Sequence, residues 1–261
     1  MIEPKIYYPE VTINKMNEPF TIKLAVTQPG PVIDHILETT TALVTKDLDE
    51  IDNKFSPLKI DSLISKFHRG DNEVFFQDAM FQSVYNQCAI AKIATNGYYD
   101  AFKNDRFDPT DILLGWTIET EFQKHLKPLL VDPSIVGVSL SSNEQMQLAT
   151  KTDSNFAWNI GITNPDDARD ILAEYNIQNG AIATATMNSA DHARHNFKQL
   201  TILSKGLTEA FVMANSGLQD STDVVEGWIE HSKLTGLMID TKDEMTMFAS
   251  GVVDNFALAQ M

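Results

Sequence analysis

The chain has 261 residues, of which 43% are hydrophobic and 21% are charged, and its formal net charge is -16. The composition is typical of a globular protein, and the length is near the upper limit for one core, so it allows one elaborated domain or two small ones. Because the sequence contains no clear linker, we expect residues 1–261 to form a single domain. The acidic excess argues against a nucleic-acid partner, because a polyanion would be repelled.

The cysteine count and the lack of long apolar runs argue against disulfide-bonded, zinc-cluster and membrane-spanning proteins. The single cysteine, Cys88, rules out an internal disulfide and a Cys-based zinc cluster, and we expect it to be a small buried thiol. The N-terminal stretch lacks a basic segment followed by an apolar run, and no stretch approaches the roughly 20 apolar residues that span a bilayer. We therefore expect a cytoplasmic protein with no membrane contact.

The first third of the chain predicts two strands followed by helices. Residues 7–28 alternate polar and apolar side chains, which indicates two strands around Pro19. Residues 31–56 repeat apolar positions at helical spacing, and a second helix is expected over about 77–95. Residues 56–71 between them are expected to be a polar loop.

The stretch "RFDPTDILLGWTIE", residues 106–119, predicts the start of a third helix. Pro109 suits a first turn, where a missing N–H costs nothing, and Asp108 or Thr110 can cap it. Pro128 predicts its end. A helix N-terminus of this kind is also suited to binding phosphate, although its middle is apolar where such a site would have a glycine and a lysine.

The second half predicts short strands with a few helices. After Pro133, five segments are rich in β-formers and separated by turn residues, as in an antiparallel sheet. Helices are expected over 166–175, 206–217 and 222–233, and a final hairpin around Lys242 and Asp243. The predicted class is α+β.

Common catalytic motifs are absent from the sequence. It contains no phosphate-binding loop ending in Gly-Lys-Ser/Thr, no G-x-G-x-x-G and no G-x-S-x-G. His192 and His195 would share a helix face and permit a metal pair, but no third ligand is evident and a solvated pair is favoured. The acidic run at 47–52 is interpreted as a solvated helix face rather than a metal site.

Segments spread over most of the chain resemble, in order, motifs of the ApbE-type FAD:protein FMN transferases. In the first half these are "MNEPFTI", "IDNKFSPLKIDSLISKFHRGD", "ATNGYYDAF" and "FDPTDILLGW". In the second half they are "FAWNIGITNPDD", "NGAIATAT" and "LTEAFVM". The resemblance implies an ApbE-like, T-fold-related fold of antiparallel sheets with packed helices.

Members of that family bind FAD with magnesium and move its FMN half onto a Ser or Thr of an acceptor protein, releasing AMP. The resemblance therefore implies FAD as cofactor and a flavin-acceptor protein as partner. The metal would screen charge on the diphosphate during this phosphoryl transfer. The implied cofactor-binding residues are Met16, Ser62, Ser65, Asp108, Thr110, Gly115 and Thr184, and the implied metal position is formed by Thr208 and Ser204.

The sequence departs from the family pattern at positions expected to face the ligand. Asp111 replaces a glycine and Leu114 replaces the lysine, so a repulsive carboxylate is added and a cation is lost. Ser204 replaces the aspartate of the metal position, which argues against magnesium, because that ion prefers at least one carboxylate. Ser141-Ser142-Asn143 replaces a Gly-Gly-Asp turn, and Thr184-Ala185-Thr186 replaces Thr-Ser-Gly.

Three functional hypotheses follow from these departures. The chain is an active FAD:protein FMN transferase with an unusual site, or a catalytically silent homologue that binds a flavin or a partner protein. Alternatively, it is an α+β protein with no ligand in the inherited cleft. On the chemistry of the altered positions the silent homologue ranks first, and Ser, Thr and Asp at loop–helix junctions have an alternative role as caps.

Overall fold

The computed structural model describes residues 5–103, 106–187 and 196–254, so the predicted His192 and His195 pair lies outside the described residues. A two-stranded hairpin opens the fold, with β1 at Glu10–Lys15 and β2 at Glu18–Val26. Met16 and Asn17 form its turn, with φ angles of 54° and 62°. Left-handed residues at both positions give a turn whose twist matches the paired strands. Pro19 lies inside β2, opposite Asn14, so the prediction that it separates the strands is wrong.

Five helices follow the hairpin, and they are α1 (Pro31–Phe55), α2 (Leu63–His68), α3 (Glu73–Gln77), α4 (Ala79–Ala94) and α5 (Thr110–Glu121). The predicted helices over 31–56, 77–95 and from 110 onward are confirmed. The expected polar loop over 56–71 instead contains α2, because Ser62 caps it by accepting a hydrogen bond from the Ser65 amide at 3.1 Å.

The last turns of the third predicted helix are irregular. After α5 the chain forms a π-helical turn at Phe122–Leu126 and then a 3-10 turn at Lys127–Val131. Pro128 lies at the start of the 3-10 turn, where its missing N–H is tolerated. The prediction that the helix ends near this proline is therefore confirmed, although the α-helical part stops earlier.

The second half supplies most of the strands, which are β3 (Ile135–Ser142), β4 (Gln145–Thr150), β5 (Trp158–Thr163), β6 (Ile171–Ile177), β7 (Asn179–Thr186), β8 (Phe197–Ser204), β9 (Thr235–Asp240), β10 (Met245–Ala249) and β11 (Val252–Asp254). Two helices, α6 (Leu207–Leu218) and α7 (Thr222–Ser232), follow β8 as predicted. The helix expected over 166–175 is wrong, because Ile171–Ile177 pairs with β5 as an antiparallel strand.

Nine strands form one sheet in the order β1-β2-β3-β4-β7-β8-β9-β10-β11, with every described neighbouring pair antiparallel, and β5 and β6 form a second small sheet. Alternate side chains divide the large sheet into two faces. On β2, Leu24 packs into the main core with the helices, whereas the next residue, Ala25, packs with Trp158 of the small sheet. The helices and the small sheet therefore cover opposite faces, which confirms the α+β class with antiparallel sheets and packed helices.

A second, aromatic core joins the helical segments to each other. Cys88 is fully buried in it, as expected, and accepts a hydrogen bond from the Tyr99 hydroxyl at 3.2 Å. Burial raises the pKa of the Cys88 thiol to about 12. Within the described residues, no helix combines the length and apolarity that crossing a bilayer requires.

Candidate functional site

The start of α5 forms one wall of a cleft of about 570 Å³. Thr110, Asp111 and Leu114 line this wall, and α6 supplies the opposite one through Phe211 and its neighbours. Glu18, which follows the β1–β2 turn, closes one end. The two departures from the family pattern on α5 therefore both face the same cavity, as expected of ligand-facing positions.

Carboxylates dominate the charged groups of this cleft. Its described lining carries four acidic side chains and one basic side chain, and these are Glu18, Asp100, Asp111, Asp220 and Lys103. A hydrogen bond from Lys92, at 2.9 Å, keeps the pKa of Asp100 below its usual value, so this carboxylate stays charged. The described lining would repel a diphosphate, and Leu114 contributes an apolar surface where a cation would be needed.

Asp108 and Thr110 form a local cap at the start of α5. The Asp108 carboxylate accepts hydrogen bonds from the Thr110 amide at 3.1 Å and from the Thr110 hydroxyl at 2.6 Å. Both residues are exposed, but only Thr110 is part of the cleft lining. Asp108 thus satisfies the first amide of α5 from the residue before the N-cap, Pro109, while the contact of Asp108 and Thr110 with a flavin or phosphate stays a prediction.

Gly115 lies where α5 packs closely on α6. A Cβ atom at this position would be 2.8 Å from the Cβ of Phe211, so the helices approach at a distance that only glycine permits. Met16, in the β1–β2 turn, is half-buried and packs against both the main and the aromatic core. The geometry explains both residues by packing, and their implied cofactor contacts stay predictions.

Ser62 and Ser65 lie at the start of α2, away from the lining of the cleft. Ser62 is 1% exposed, and its hydroxyl oxygen is used to cap the Ser65 amide. The structure therefore places the pair together, but not with Thr110. Helix capping explains the positions of Ser62 and Ser65, and their contact with a cofactor stays a prediction.

Thr184 lies in a different cavity, of about 180 Å³, beside the small sheet. It is directly opposite Thr201 on β8, and their hydroxyl oxygens are 2.9 Å apart. Asn143 and Glu144 line the same cavity, and burial raises the pKa of Glu144. Residues of the replaced Gly-Gly-Asp turn and of the Thr-Ala-Thr segment thus line the same cavity, while contact of Thr184 with a diphosphate stays a prediction.

The implied metal position brings two hydroxyl–carboxylate pairs to a third cavity, of about 630 Å³. The Glu119 carboxylate accepts hydrogen bonds from the Thr208 amide at 2.8 Å and from the Thr208 hydroxyl at 2.6 Å. The Ser204 hydroxyl donates to Glu209. Glu119, Thr208 and Glu209 all line this cavity, so carboxylate oxygens of the kind that magnesium prefers lie beside both hydroxyls.

Sequence reasoning missed Glu119 and Glu209. The sequence gives no clear signal for Glu119, because it lies among polar residues such as Thr120 and Glu121. Gly206 lets this carboxylate approach α6, because a Cβ atom there would be 2.6 Å from Glu119 Oε1. The donor chemistry of this cavity fits a hard divalent cation, whereas the lining of the cleft does not fit a diphosphate.

Three of the predicted residues therefore line three different cavities rather than one, and the others have packing or capping positions. Thr110 lines the acidic cleft, Thr184 lies beside the small sheet, and Thr208 with Ser204 lies at the start of α6. Through its hydrogen bond to Thr208, Glu119 joins the start of α6 to α5. Helix α5 also supplies one wall of the acidic cleft.

Several solved structures of flavin transferases match the chain, although no protein-family model and no curated protein sequence does. The flavin transferase ApbE from Vibrio cholerae matches with a TM-score of 0.68 and 15% identity, over 94% of this chain and 98% of that chain. Pseudomonas stutzeri flavinyl transferase ApbE, in its apo form, matches with a TM-score of 0.65 and 12% identity, over 92% and 93%. The ApbE protein from Thermotoga maritima matches with a TM-score of 0.68 and 14% identity, over 93% and 97%. The chain therefore has the fold of the ApbE flavin transferases.

Proposed function

We propose that this chain is a divergent homologue of the FAD:protein FMN transferases that no longer transfers FMN, and that it acts as a binding module for a flavin or a partner protein. The fold supports the lineage. The proposed loss of FMN transfer rests on the charge of the cleft, because its described lining has four carboxylates and one ammonium. Such a lining opposes the binding of the FAD diphosphate on which transfer depends.

The loss of the lysine is not repaired within the described part of the cleft. Leu114 lies where the family resemblance places a cation, and Asp111 adds a negative charge three residues before it. Lys103 is the remaining basic side chain of the described lining. Because Lys92 already pairs with Asp100, the Lys103 ammonium faces three further carboxylates, and the described lining stays net negative.

A second candidate, an active transferase, is favoured by one observation. Glu119 and Glu209 place carboxylates beside Thr208 and Ser204, and magnesium bound there would supply Lewis-acid chemistry. In that case the departures at Ser204 and Leu114 would reflect a rearranged site rather than a lost one.

An assay of AMP release separates these two candidates. The full chain is incubated with FAD, magnesium and an acceptor domain carrying a modifiable threonine, and AMP and the flavin-labelled acceptor are measured. The Pseudomonas stutzeri flavinyl transferase serves as positive control with its own acceptor. No AMP above the protein-free rate supports the silent homologue. Magnesium-dependent AMP release with labelling of the acceptor contradicts it and establishes the active transferase.

A further inference from the structure

Three metal-ligating side chains meet between α1 and the end of α5, outside the three cavities described above. They are Asp47 of α1, Glu121 at the last position of α5, and His125 of the π-helical turn. One ligand atom from each lies within 4.8 Å of the others. His125 Nε2 is 2.7 Å from Asp47 Oδ2 and 3.6 Å from Glu121 Oε2.

The cluster is buried, unlike a solvated acidic surface. Glu121 is 2% exposed and Asp47 is 8% exposed, although the acidic run at 47–52 reads as a solvated face in the sequence. The Oε2 atom of Glu121 has no hydrogen-bond partner among the described residues. An unpaired buried oxygen is costly, and it faces the imidazole and the second carboxylate. Burial, together with the nearby charge of Asp47, raises the pKa of Glu121 to about 8.

The spacing of the ligand atoms is close to that of a tetrahedral metal. Zinc binds nitrogen and oxygen at about 2.0–2.1 Å, which puts ligand atoms about 3.3 Å apart along a tetrahedral edge. The distances from His125 to the two carboxylates, 2.7 and 3.6 Å, lie on either side of this value. The π-helical turn contributes to this arrangement by setting His125 relative to Glu121, and such turns are frequent at functional sites.

We propose that Asp47, Glu121 and His125 form a binding site for a divalent transition metal, with zinc as the cation the donors suit best. Two carboxylates neutralise the charge of the ion, and an imidazole ligand favours zinc over magnesium. Lys124 now pairs with Asp47, but its side chain is 56% exposed and can turn into solvent when a cation takes its place. The bound metal would tie α1 to the end of α5.

This site is separate from the carboxylates at the start of α6. Glu119 and Glu121 are two positions apart on α5, so they project about 200° apart around the helix. Glu119 faces Thr208, whereas Glu121 faces His125 and Asp47. The inference therefore does not depend on the proposed function.

Zinc titration of the chelator-treated full chain tests the site. Isothermal calorimetry should show one tight zinc ion, and cobalt in its place should give the visible absorption of a four-coordinate site. Glu121→Gln keeps the shape of the side chain and removes its charge, so it should fold and bind zinc at least about tenfold more weakly. Glu226→Gln, on the exposed face of α7, is the matched control and should bind as the wild type does.

Other variants locate the ion. The double variant His192→Asn and His195→Asn should retain zinc binding, because the proposed site does not use these residues. Absence of zinc binding by the folded wild-type protein would overturn the proposal. So would wild-type affinity in Glu121→Gln, or loss of binding in the double variant or in Glu119→Gln alone.

Discussion

The Glu119 carboxylate accepts hydrogen bonds from both the amide and the hydroxyl of Thr208, at 2.8 and 2.6 Å. It thereby ties the end of α5 to the start of α6 and satisfies an amide that has no partner within its own helix. A carboxylate at a helix N-terminus also interacts favourably with the helix dipole. The Thr208 hydroxyl, which the family resemblance assigns to a metal site, therefore donates its hydrogen bond to Glu119.

Replacing Glu119 by Gln should lower the free energy of unfolding by about 1–2 kcal/mol, because hydrogen bonds to a charged acceptor are stronger than those to a neutral one. Urea unfolding followed by circular dichroism gives this value. Glu226→Gln is the matched control and should change stability by less than about 0.5 kcal/mol. Equal stability of both variants and the wild type would show that the Glu119–Thr208 contact contributes nothing to stability.

Restoring charge should restore affinity for FAD. Leu114→Lys with Ser204→Asp places a cation in the cleft and a carboxylate at the metal position, and we expect FAD to bind at least about tenfold more tightly, or about 1.4 kcal/mol. Fluorescence titration of FAD in the presence of magnesium measures the change. In the control, Val32→Lys replaces Leu114→Lys, because Val32 is 68% exposed and is not part of the cleft lining. The same affinity in both double variants would count against the alignment of Leu114 with the lysine.

Two glycine-to-alanine substitutions should act in opposite directions. Gly115→Ala would bring a Cβ atom to 2.8 Å from Phe211 Cβ, so α5 and α6 must separate, and we expect a loss of about 1–3 kcal/mol. Gly227 lies within α7 and an added Cβ would meet no atom within 4 Å, so Gly227→Ala should stabilise the protein by about 0.5–1 kcal/mol. Thermal unfolding compares the two, and a Gly115→Ala protein as stable as the wild type would contradict the packing argument.

The pairing of Asp78 with Lys54 should make stability depend on acid pH. Burial raises the pKa of Asp78, but hydrogen bonds from Lys54, at 2.8 Å, and from the Phe81 amide, at 2.9 Å, outweigh it and lower the pKa below 3.8. A group with a lowered folded-state pKa contributes stability above its unfolded pKa and loses it as the pH falls through the folded value. Asp78→Asn can still cap α4 but carries no charge.

The measurement for this pair is the free energy of unfolding against pH. Between about pH 5 and pH 2 the wild type should lose roughly 1 kcal/mol more than Asp78→Asn does, a figure reduced by partial solvent screening. Parallel pH profiles for the two proteins would show that the ion pair does not stabilise the folded state.

Elements with one dominant periodicity are predictable from the sequence. In α1 the buried Val44, Leu48 and Ile51 recur at helical spacing, so its bounds are predicted almost to the residue. The helix prediction for residues 166–175 is wrong for a physical reason. Ile171, Leu172 and Tyr175 also satisfy helical spacing, but pairing with β5 and packing of the small sheet on the large one override it.

Turn chemistry limits prediction at the hairpin. Asn17 readily adopts a left-handed conformation, but Met16 gives no such signal, so Pro19 is the more visible break in the sequence. The replaced positions Asp111 and Leu114 do face a cavity as the resemblance implies. Glu119 and Glu209 could not be found in this way, because their contacts with Thr208 and Ser204 depend on the packing of α5 and on the start of α6.

A comparison of FAD with riboflavin tests the central claim most directly, because riboflavin has the same ring system and lacks the diphosphate. Both are titrated into the purified protein with magnesium present. An acidic cleft that cannot hold the anion predicts that FAD binds no more tightly than riboflavin. A preference for FAD of about a hundredfold or more, equal to about 2.7 kcal/mol, would contradict the account, because the cleft would then accept the diphosphate together with the adenosine that it joins to the flavin.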